Sequence, residues 1–465
     1  MQNLSISIPL MSYLDFDDLP TSAITLSSDD IDRAAEISEL IPDELKQWQV
    51  YLNSLALSAF EQWLEERAES LTVNRDNCTI LQPASANFIN CVANLQVGEF
   101  KVCLIATGSL SDEMVSLSRV VVDLPEFIPH FYVLVEVLEE REAANVYAFL
   151  SYQELLKTLH VTSLQSDWNY QIPISCFDDN PDRLLLYLRC LEPSAISLPA
   201  IPSNRTAILS TVQNQLVELL PQLQSPEREL SDALTWEQAT AVLTNPELLN
   251  WVYTLQQQYI EAPNNPSLHG DTSQSLDKSL SVSLRDLIKL ITQPALNAGR
   301  WLWDELDELA QGLSWVLLPS FSTALEMRPM RSPEEEFEVI TTQLQQRGLE
   351  IPIQARGAYQ DLLVAGIPLR MYAVTWHLVS ESEQPEWSLL LILGAPALSS
   401  LPSNIQLRVS DQTGILEERG LDARTSDTYI FTRVVGNWDE KFLVSVSLMD
   451  GVETTLPPFA FDLGR

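Results

Sequence analysis

The sequence predicts a multidomain α+β protein with an N-terminal α+β domain, a helical middle and a C-terminal antiparallel β-sandwich of the Ig-like kind. The chain has 465 residues, of which 46% are hydrophobic, enough for several cores and about three domains by length. One long stretch near the N-terminus repeats its apolar residues at helical spacing. From Glu350 onward, alternating segments lie between turn-rich stretches.

The first domain is predicted to span residues 1–160. Residues 43–66 read as one long helix with acidic residues near its positive N-terminal end. The stretches that follow are rich in Val, Ile, Phe and Tyr and read as strands. A hairpin turn is expected near Val97 and Gly98, and a polar turn at 139–145.

The rest of the chain is predicted in four segments. Residues 161–261 form a helical region, and residues 262–281 are poor in large apolar side chains and read as a flexible linker. Residues 282–345 form a helical segment in which Pro294 separates two helices. Residues 346–465 supply the seven or eight strands of the sandwich.

The charge of the chain excludes one class of partner. There are 64 acidic and 27 basic side chains, which gives a formal net charge of -37. Nucleic acid is not an expected ligand, because neutralising phosphates requires clustered Lys or Arg. The acidic surface either serves solubility or docks a basic partner.

The cysteines and apolar runs predict a cytoplasmic protein that does not insert into membranes. An odd number of cysteines without short paired spacing indicates reduced thiols. Cys91 and Cys103 are expected to approach each other across the hairpin as two buried thiols. The N-terminus lacks the pattern of a secretory signal, and the longest apolar runs are too short for a bilayer. The five cysteines are Cys78, Cys91, Cys103, Cys176 and Cys190.

No motif establishes catalysis. The sequence has no phosphate-binding glycine loop with its lysine, and no nucleophile elbow. The four histidines are scattered singly, so no pair on one helical face could bind zinc. We therefore expect no catalytic residues, no cofactor and no metal site, and a protein that is not an enzyme. A site assembled from distant residues stays open, because sequence patterns do not reveal such sites.

Asn53 interrupts the apolar face of the long helix, in the stretch "VYLNSLALSAFEQWL". Its position on the helical wheel predicts that it is buried. A buried amide must be hydrogen-bonded, so Asn53 is expected to tie this helix to neighbouring strands or loops. Contact with a ligand is the alternative.

Trp301 is the candidate interface residue. On a continuous helix it projects among Asp304, Glu305 and Glu308, opposite the apolar stripe. An aromatic side chain on a charged face is either packed under another domain or exposed as a contact for a partner. The expected apolar stripe consists of Leu302, Leu306, Leu309 and Leu313.

The stretch "QVYLNSLALSAFEQWL" resembles the early helix of the domain-of-unknown-function family numbered 1822. The resemblance continues at "VSLRDLIKLITQPALNAGRWLWDEL", at "LSWVLLPSF" and in the β-rich end. This chain departs from the pattern of typical members, having "NRDNCTILQ" and "KVCLIAT" in place of Ser-Trp-Asn-Pro and Cys-Arg-Pro segments. The residues that match the first motif are Tyr51, Leu52, Asn53, Leu55 and Ala56.

The resemblance implies a cyanobacterial cytoplasmic protein, associated with genes for sigma factors and membrane-bound sensory proteins. The preferred interpretation is a non-enzymatic regulatory protein that uses its acidic surface and β-sandwich to bind a protein partner in transcription or signalling control. That partner is expected to be basic, such as a sigma factor or a signalling protein. The alternatives are an enzyme or small-ligand receptor, and a purely structural subunit.

Overall fold

The computed structural model describes residues 22–108, 113–160, 162–261, 271–319, 332–378, 385–396, 400–421, 428–448 and 451–463. The chain divides into two compact units. The first unit consists of Met1–Pro202, Ser225–Leu234 and Tyr253–Ile260. The second unit consists of Ser203–Gln224, Thr235–Val252 and Glu261–Arg465.

Helices occur in both units. The α-helices are α1 (Ser28–Glu39), α2 (Glu44–Ala68), α3 (Pro83–Ala86), α4 (Val120–Asp123), α5 (Tyr152–Thr158), α6 (Pro181–Cys190), α7 (Arg205–Glu218), α8 (Leu220–Leu223), α9 (Leu230–Ala233), α10 (Trp236–Leu243), α11 (Pro246–Glu261), α12 (Asp271–Thr292), α13 (Glu308–Gly312) and α14 (Pro333–Gln346). Among the described residues, no helix combines the length and apolar character that crossing a bilayer requires.

The strands form antiparallel and mixed sheets. They are β1 (Ile24–Thr25), β2 (Val73–Asn74), β3 (Val92–Val97), β4 (Phe100–Thr107), β5 (Met114–Ser118), β6 (Phe131–Leu138), β7 (Ala143–Ser151), β8 (Asn169–Pro173), β9 (Leu296–Asn297), β10 (Val316–Leu317), β11 (Arg356–Val364), β12 (Ile367–Leu378), β13 (Glu386–Gly394), β14 (Ile405–Ser410), β15 (Ile415–Gly420), β16 (Tyr429–Asn437), β17 (Leu443–Leu448), β18 (Glu453–Thr455) and β19 (Phe459–Ala460).

The long helix α2 forms much of the core of the first unit. Asp43 caps its N-terminus, where its side chain accepts a hydrogen bond from the backbone N–H of Leu45. The helix packs against β4, β6 and β7 and buries large side chains that include Phe60 and Trp63. The predicted helix over 43–66 is confirmed to within two residues at each end.

The first unit contains a six-stranded sheet in the order β1-β7-β6-β4-β3-β2. The predicted turn between β3 and β4 is confirmed, and Gly98 adopts a left-handed φ of 56° that suits glycine. Strands β6 and β7 form a second hairpin across the predicted polar turn. Strand β4 pairs with β6 in parallel, with Val102 opposite Phe131.

In the second unit, two antiparallel sheets share one hydrophobic core. Their strand orders are β10-β11-β12-β13-β16 and β15-β14-β17-β18. Trp387 and Leu391 of the first sheet and Leu407 and Val444 of the second belong to that core. A second core lies between α14 and the five-stranded sheet, and it contains Phe337. Helix α12 packs against α7 and contacts β14 and β17.

Antiparallel strands after Glu350 are therefore present, as their alternating pattern predicts. Residues 262–270 of the predicted linker lie outside the described residues, and the chain is helical from Asp271 onward. The predicted helix after Pro294 is wrong, because the chain there forms the short strand β9 and a 3-10 helix over Ala298–Trp303.

Candidate functional site

Asn53 is fully buried within α2, as predicted. Its Oδ1 accepts a hydrogen bond of 3.3 Å from Nε2 of Gln49, one turn earlier. The same nitrogen of Gln49 lies 3.5 Å from the carbonyl oxygen of Ala106 on β4. The link to the sheet is thus made through Gln49, whereas a direct link from Asn53 was expected. Among the described residues, Nδ2 of Asn53 has no hydrogen-bond partner.

Gln49 also lines a cleft of about 390 Å³ in the first unit. The cleft lies beside the first turns of α2, at the carboxyl end of β4. Its volume is within the range of small-molecule sites. The lining residues are Leu45, Lys46, Gln49, Asn90, Ile105, Ala106, Thr107, Met114, Val115, Ser116, Ser118, Leu134, Asn169, Ile174 and Glu229. Polar side chains from several elements therefore converge on one space.

Lys46 is the buried charge of this cleft, with a side chain that is only 7% exposed. Its Nζ donates a hydrogen bond of 3.4 Å to the carbonyl oxygen of Pro226. The carboxylates of Glu229 and Asp43 lie 3.7 and 4.0 Å away, and the ring of Phe88 is 5.9 Å away. Two carboxylates thus balance the ammonium charge, but at distances too long for close hydrogen bonds.

The lining of the cleft suits binding better than nucleophilic catalysis. Ser116 and Ser118 contribute hydroxyl groups, but the described lining contains no histidine or cysteine to act as a base or thiolate. Ser118 Oγ accepts a hydrogen bond from the backbone N–H of Val120, and Ser116 Oγ accepts one from Gln171. The hydroxyl groups therefore take part in local structure.

The predicted placement of Trp301 on a charged face is wrong. Asp304 has a left-handed φ of 57°, which ends the 3-10 helix before α13 begins at Glu308. A helical wheel that runs through this break assigns Trp301 to the wrong side. The side chain is fully buried, and its ring lies 5.6 Å from that of Trp315 and 6.2 Å from that of Phe459. Trp301 cannot contact a partner of the folded protein.

The exposed tryptophan of this segment is Trp303, which no pattern in the sequence distinguishes from its neighbours. It is 58% exposed and directly precedes Asp304 and Glu305, which are also exposed, as is Glu308. Asp304 Oδ1 lies 3.1 Å from Nε of Arg356. We call Trp303, Asp304, Glu305 and Glu308 the acidic tryptophan patch. Three of the predicted interface residues thus lie at the surface, and a different tryptophan accompanies them.

Three cysteines are buried together in the first unit. Burial raises the pKa of Cys78 to about 12. Burial, and then the adjacent thiol of Cys91, raise the pKa of Cys103 well above its ordinary value. The expected approach of Cys91 and Cys103 is confirmed, with both thiols buried and free. The part of the chain that the structure describes contains no group of three or more His, Cys, Asp or Glu side chains suited to a metal ion.

Comparison with known proteins identifies one family. The family described as "Protein of unknown function (DUF1822)" matches residues 24–456. No curated protein and no solved structure matches this chain. The family match includes the cleft and the acidic tryptophan patch.

Proposed function

We propose that this chain, which belongs to the DUF1822 family of proteins of unknown function, is a non-enzymatic interaction protein that binds a basic protein partner. The observation that carries the proposal is the acidic tryptophan patch, where Trp303 is 58% exposed beside three exposed carboxylates. The formal net charge of -37 favours a partner of opposite charge. A sigma factor or a signalling protein in transcription or signalling control would fit.

The patch combines two contributions to binding. Trp303 offers apolar area of the kind that dominates interface hot spots when it becomes buried. The carboxylates of Glu305 and Glu308 attract basic groups and accelerate association. Arg356 forms a salt bridge of 3.1 Å with Asp304, the residue that follows Trp303. The patch therefore suits a surface in which an apolar pocket is bordered by Lys or Arg.

Two further features belong to the same proposal. An Ig-like β-sandwich would present this patch on a rigid support, and the shared core of the two antiparallel sheets supports that arrangement. A cytoplasmic location is supported by the five free cysteines.

The test is capture of proteins from a cell lysate at low and high salt, followed by calorimetry with each purified candidate. Wild type is compared with Trp303→Ala and with the double variant Glu305→Gln/Glu308→Gln. Trp48→Ala is the matched control, because Trp48 is similarly exposed at 54% and lies in the first unit. We expect a basic partner whose affinity falls at least about tenfold in both patch variants, the loss of a modest hot spot.

Equal affinity of Trp303→Ala and wild type for every captured protein would contradict the proposal. Affinity that does not change with salt would contradict the proposed electrostatic contribution to binding, since salt at 0.1 M screens exposed charges over about 10 Å.

A second function, reception of a small polar ligand, is favoured by the cleft around Lys46. The Lys46 side chain is 7% exposed, and its ammonium forms one hydrogen bond, of 3.4 Å, among the described residues, so a ligand acceptor would improve its environment. The test is a thermal-shift screen with polar metabolites on wild type and Lys46→Met. A hit that stabilises both proteins equally would exclude the cleft as its site.

A further inference from the structure

A groove of about 500 Å³ in the second unit carries the opposite charge to the rest of the chain. It lies along β15 and β16, which are the end strands of the four-stranded and five-stranded sheets. Arg347, Arg419 and Arg433 line it, with Glu417 as the one carboxylate among its described lining residues. We call these four residues and the space between them the arginine groove.

Two of the arginines are held in place by neighbouring side chains. Arg433 Nε donates a hydrogen bond of 2.8 Å to Ser388 Oγ, and its guanidinium lies 5.1 Å from the ring of Trp376. The guanidinium of Arg347 lies 5.7 Å from the ring of Tyr429. Contact with an aromatic face restrains a guanidinium, and the N–H groups at the edge of the guanidinium can still donate. The groove is therefore partly organised before any ligand arrives.

Arg419 completes the positive side of the groove. Its Nε lies 3.1 Å from Oε2 of Glu417, and both side chains are partly exposed. Exposed pairs of this kind contribute little to stability, so Arg419 can exchange its partner for a ligand anion at small cost. The described lining residues of the groove thus include three arginines and one carboxylate.

Protection of exposed strand edges does not explain this composition. Charged side chains on an edge prevent association with other strands, but either sign serves that purpose. In a chain with 64 acidic and 27 basic residues, an edge would most simply carry carboxylates. Three arginines on β15, β16 and the end of α14 instead provide the fork-shaped donors that bind carboxylate and phosphate groups.

We propose that the arginine groove binds a small polyanion with at least two carboxylate or phosphate groups. The space of about 500 Å³ is in the range of small-molecule sites. The guanidinium groups of Arg419 and Arg433 can serve two anionic groups at once, each by paired N–H donors. The half-buried ring of Phe431 and the side chain of Leu421 supply apolar contact for the body of the ligand. This site is separate from the acidic tryptophan patch and takes a ligand of opposite charge.

Isothermal titration calorimetry on the full chain tests the proposal. Inorganic pyrophosphate and citrate serve as probes for the phosphate and carboxylate sources, each at 50 mM and at 300 mM NaCl. Wild type is compared with Arg419→Gln, with Arg433→Gln and with Arg285→Gln. Arg285 is exposed on α12 and outside the groove, so its variant is the matched control for net charge.

We expect saturable 1:1 binding of at least one probe, with a Kd that rises at least about tenfold in each groove variant, the effect of removing one charge-assisted contact. The Kd of Arg285→Gln should stay within about twofold of wild type. Preference for one probe identifies the anion class. Because Arg419 is more than half exposed, Arg419→Gln is a valid test even if Arg433→Gln unfolds.

Two results would overturn the proposal. One is the absence of binding by both probes up to millimolar concentration at low salt. The other is an equal loss of affinity in Arg285→Gln and the groove variants, which would show general charge attraction and no site.

Discussion

Arg408 on β14 and Asp286 on α12 form a buried ion pair, with 3.1 Å between Nη2 and Oδ2. Asp286 also accepts a hydrogen bond of 2.8 Å from Ser410 Oγ. Arg408 Nη2 in turn donates to Glu453 on β18 at 2.8 Å. Three elements of the second unit are thus joined by buried charged groups. Burial removes these groups from water, and their hydrogen bonds and ion pairs compensate for that cost.

Removal of Asp286 should destabilise the second unit strongly. Asp286→Ala leaves the guanidinium of Arg408 with a buried and only partly compensated charge, so we expect a loss of about 3–5 kcal/mol in the free energy of unfolding. Guanidinium chloride titration followed by circular dichroism measures this loss. Asp439→Ala is the control, because Asp439 is exposed and its removal should change the free energy by less than about 0.5 kcal/mol. A similar loss in the free energy of unfolding for both variants would show that the ion pair between Arg408 and Asp286 contributes little to stability.

Truncation of the two neighbouring tryptophans should change the free energy of unfolding by very different amounts. Trp301→Ala removes a fully buried ring from the core, and we expect a loss of about 3–5 kcal/mol in the free energy of unfolding. Trp303→Ala removes an exposed ring and should cost less than about 0.5 kcal/mol. The same denaturant titration compares them. A large loss in Trp303→Ala would contradict its role as a surface residue.

His130 should make the first unit less stable in mild acid. Burial, and then the charge of Lys101, lower the pKa of His130 below its ordinary value. The folded state therefore resists protonation more than the unfolded state, so stability is lost as the pH falls from about 6.5 through the lower folded pKa. Thermal melts between pH 7.5 and 5 measure this loss.

The variant His130→Gln should show a weaker dependence of Tm on pH over that range. Nδ1 of His130 accepts a hydrogen bond of 2.8 Å from the backbone N–H of Lys101, and the amide oxygen of glutamine can offer an acceptor there. His160→Gln, at an exposed histidine, is the control and should keep the wild-type dependence. An unchanged slope in His130→Gln would assign the effect to other groups.

The thiols should divide into two classes by reactivity. Cys190 is exposed and should react with Ellman's reagent in the native protein within minutes. Cys78, Cys91 and Cys103 are buried, and burial that raises the pKa of Cys78 to about 12 keeps thiolate scarce at pH 8. These three should react only after unfolding in denaturant. Because Cys176 is half-buried, the double variant Cys176→Ser/Cys190→Ser should abolish reaction in the native protein, and reaction that persists there would contradict the burial of the other three thiols.

Local sequence signals predicted local structure well. The apolar spacing of α2 and the glycine at Gly98 act over a few residues, so the helix and the hairpin could be located. Asp304 shows the limit of this approach. Its backbone is left-handed, and its side chain forms a salt bridge to Arg356, a distant residue that no helical wheel contains.

Sites built from distant segments could not be predicted in this way. Lys46 meets Glu229, and Arg347 shares a groove with Arg433, only because the chain folds back on itself. The parallel pairing of β4 with β6 likewise joins non-adjacent strands. The burial of Asn53 was predictable from the apolar spacing of one helix. Its hydrogen-bond partner, Gln49, was not predictable, because many polar residues could have taken that role.

The order of the chain through the two units has a consequence for synthesis. The first unit takes Ser225–Leu234 and Tyr253–Ile260 from beyond its main segment. Glu229 and Pro226 contact Lys46, and Gln256 accepts a hydrogen bond of 2.8 Å from buried Asn87. During synthesis, Lys46 and Asn87 therefore lack these partners until residues much later in the chain have been translated. A nascent chain released before Pro226 would leave the amide of Asn87 and the ammonium of Lys46 without these partners, a state that quality-control proteases can recognise.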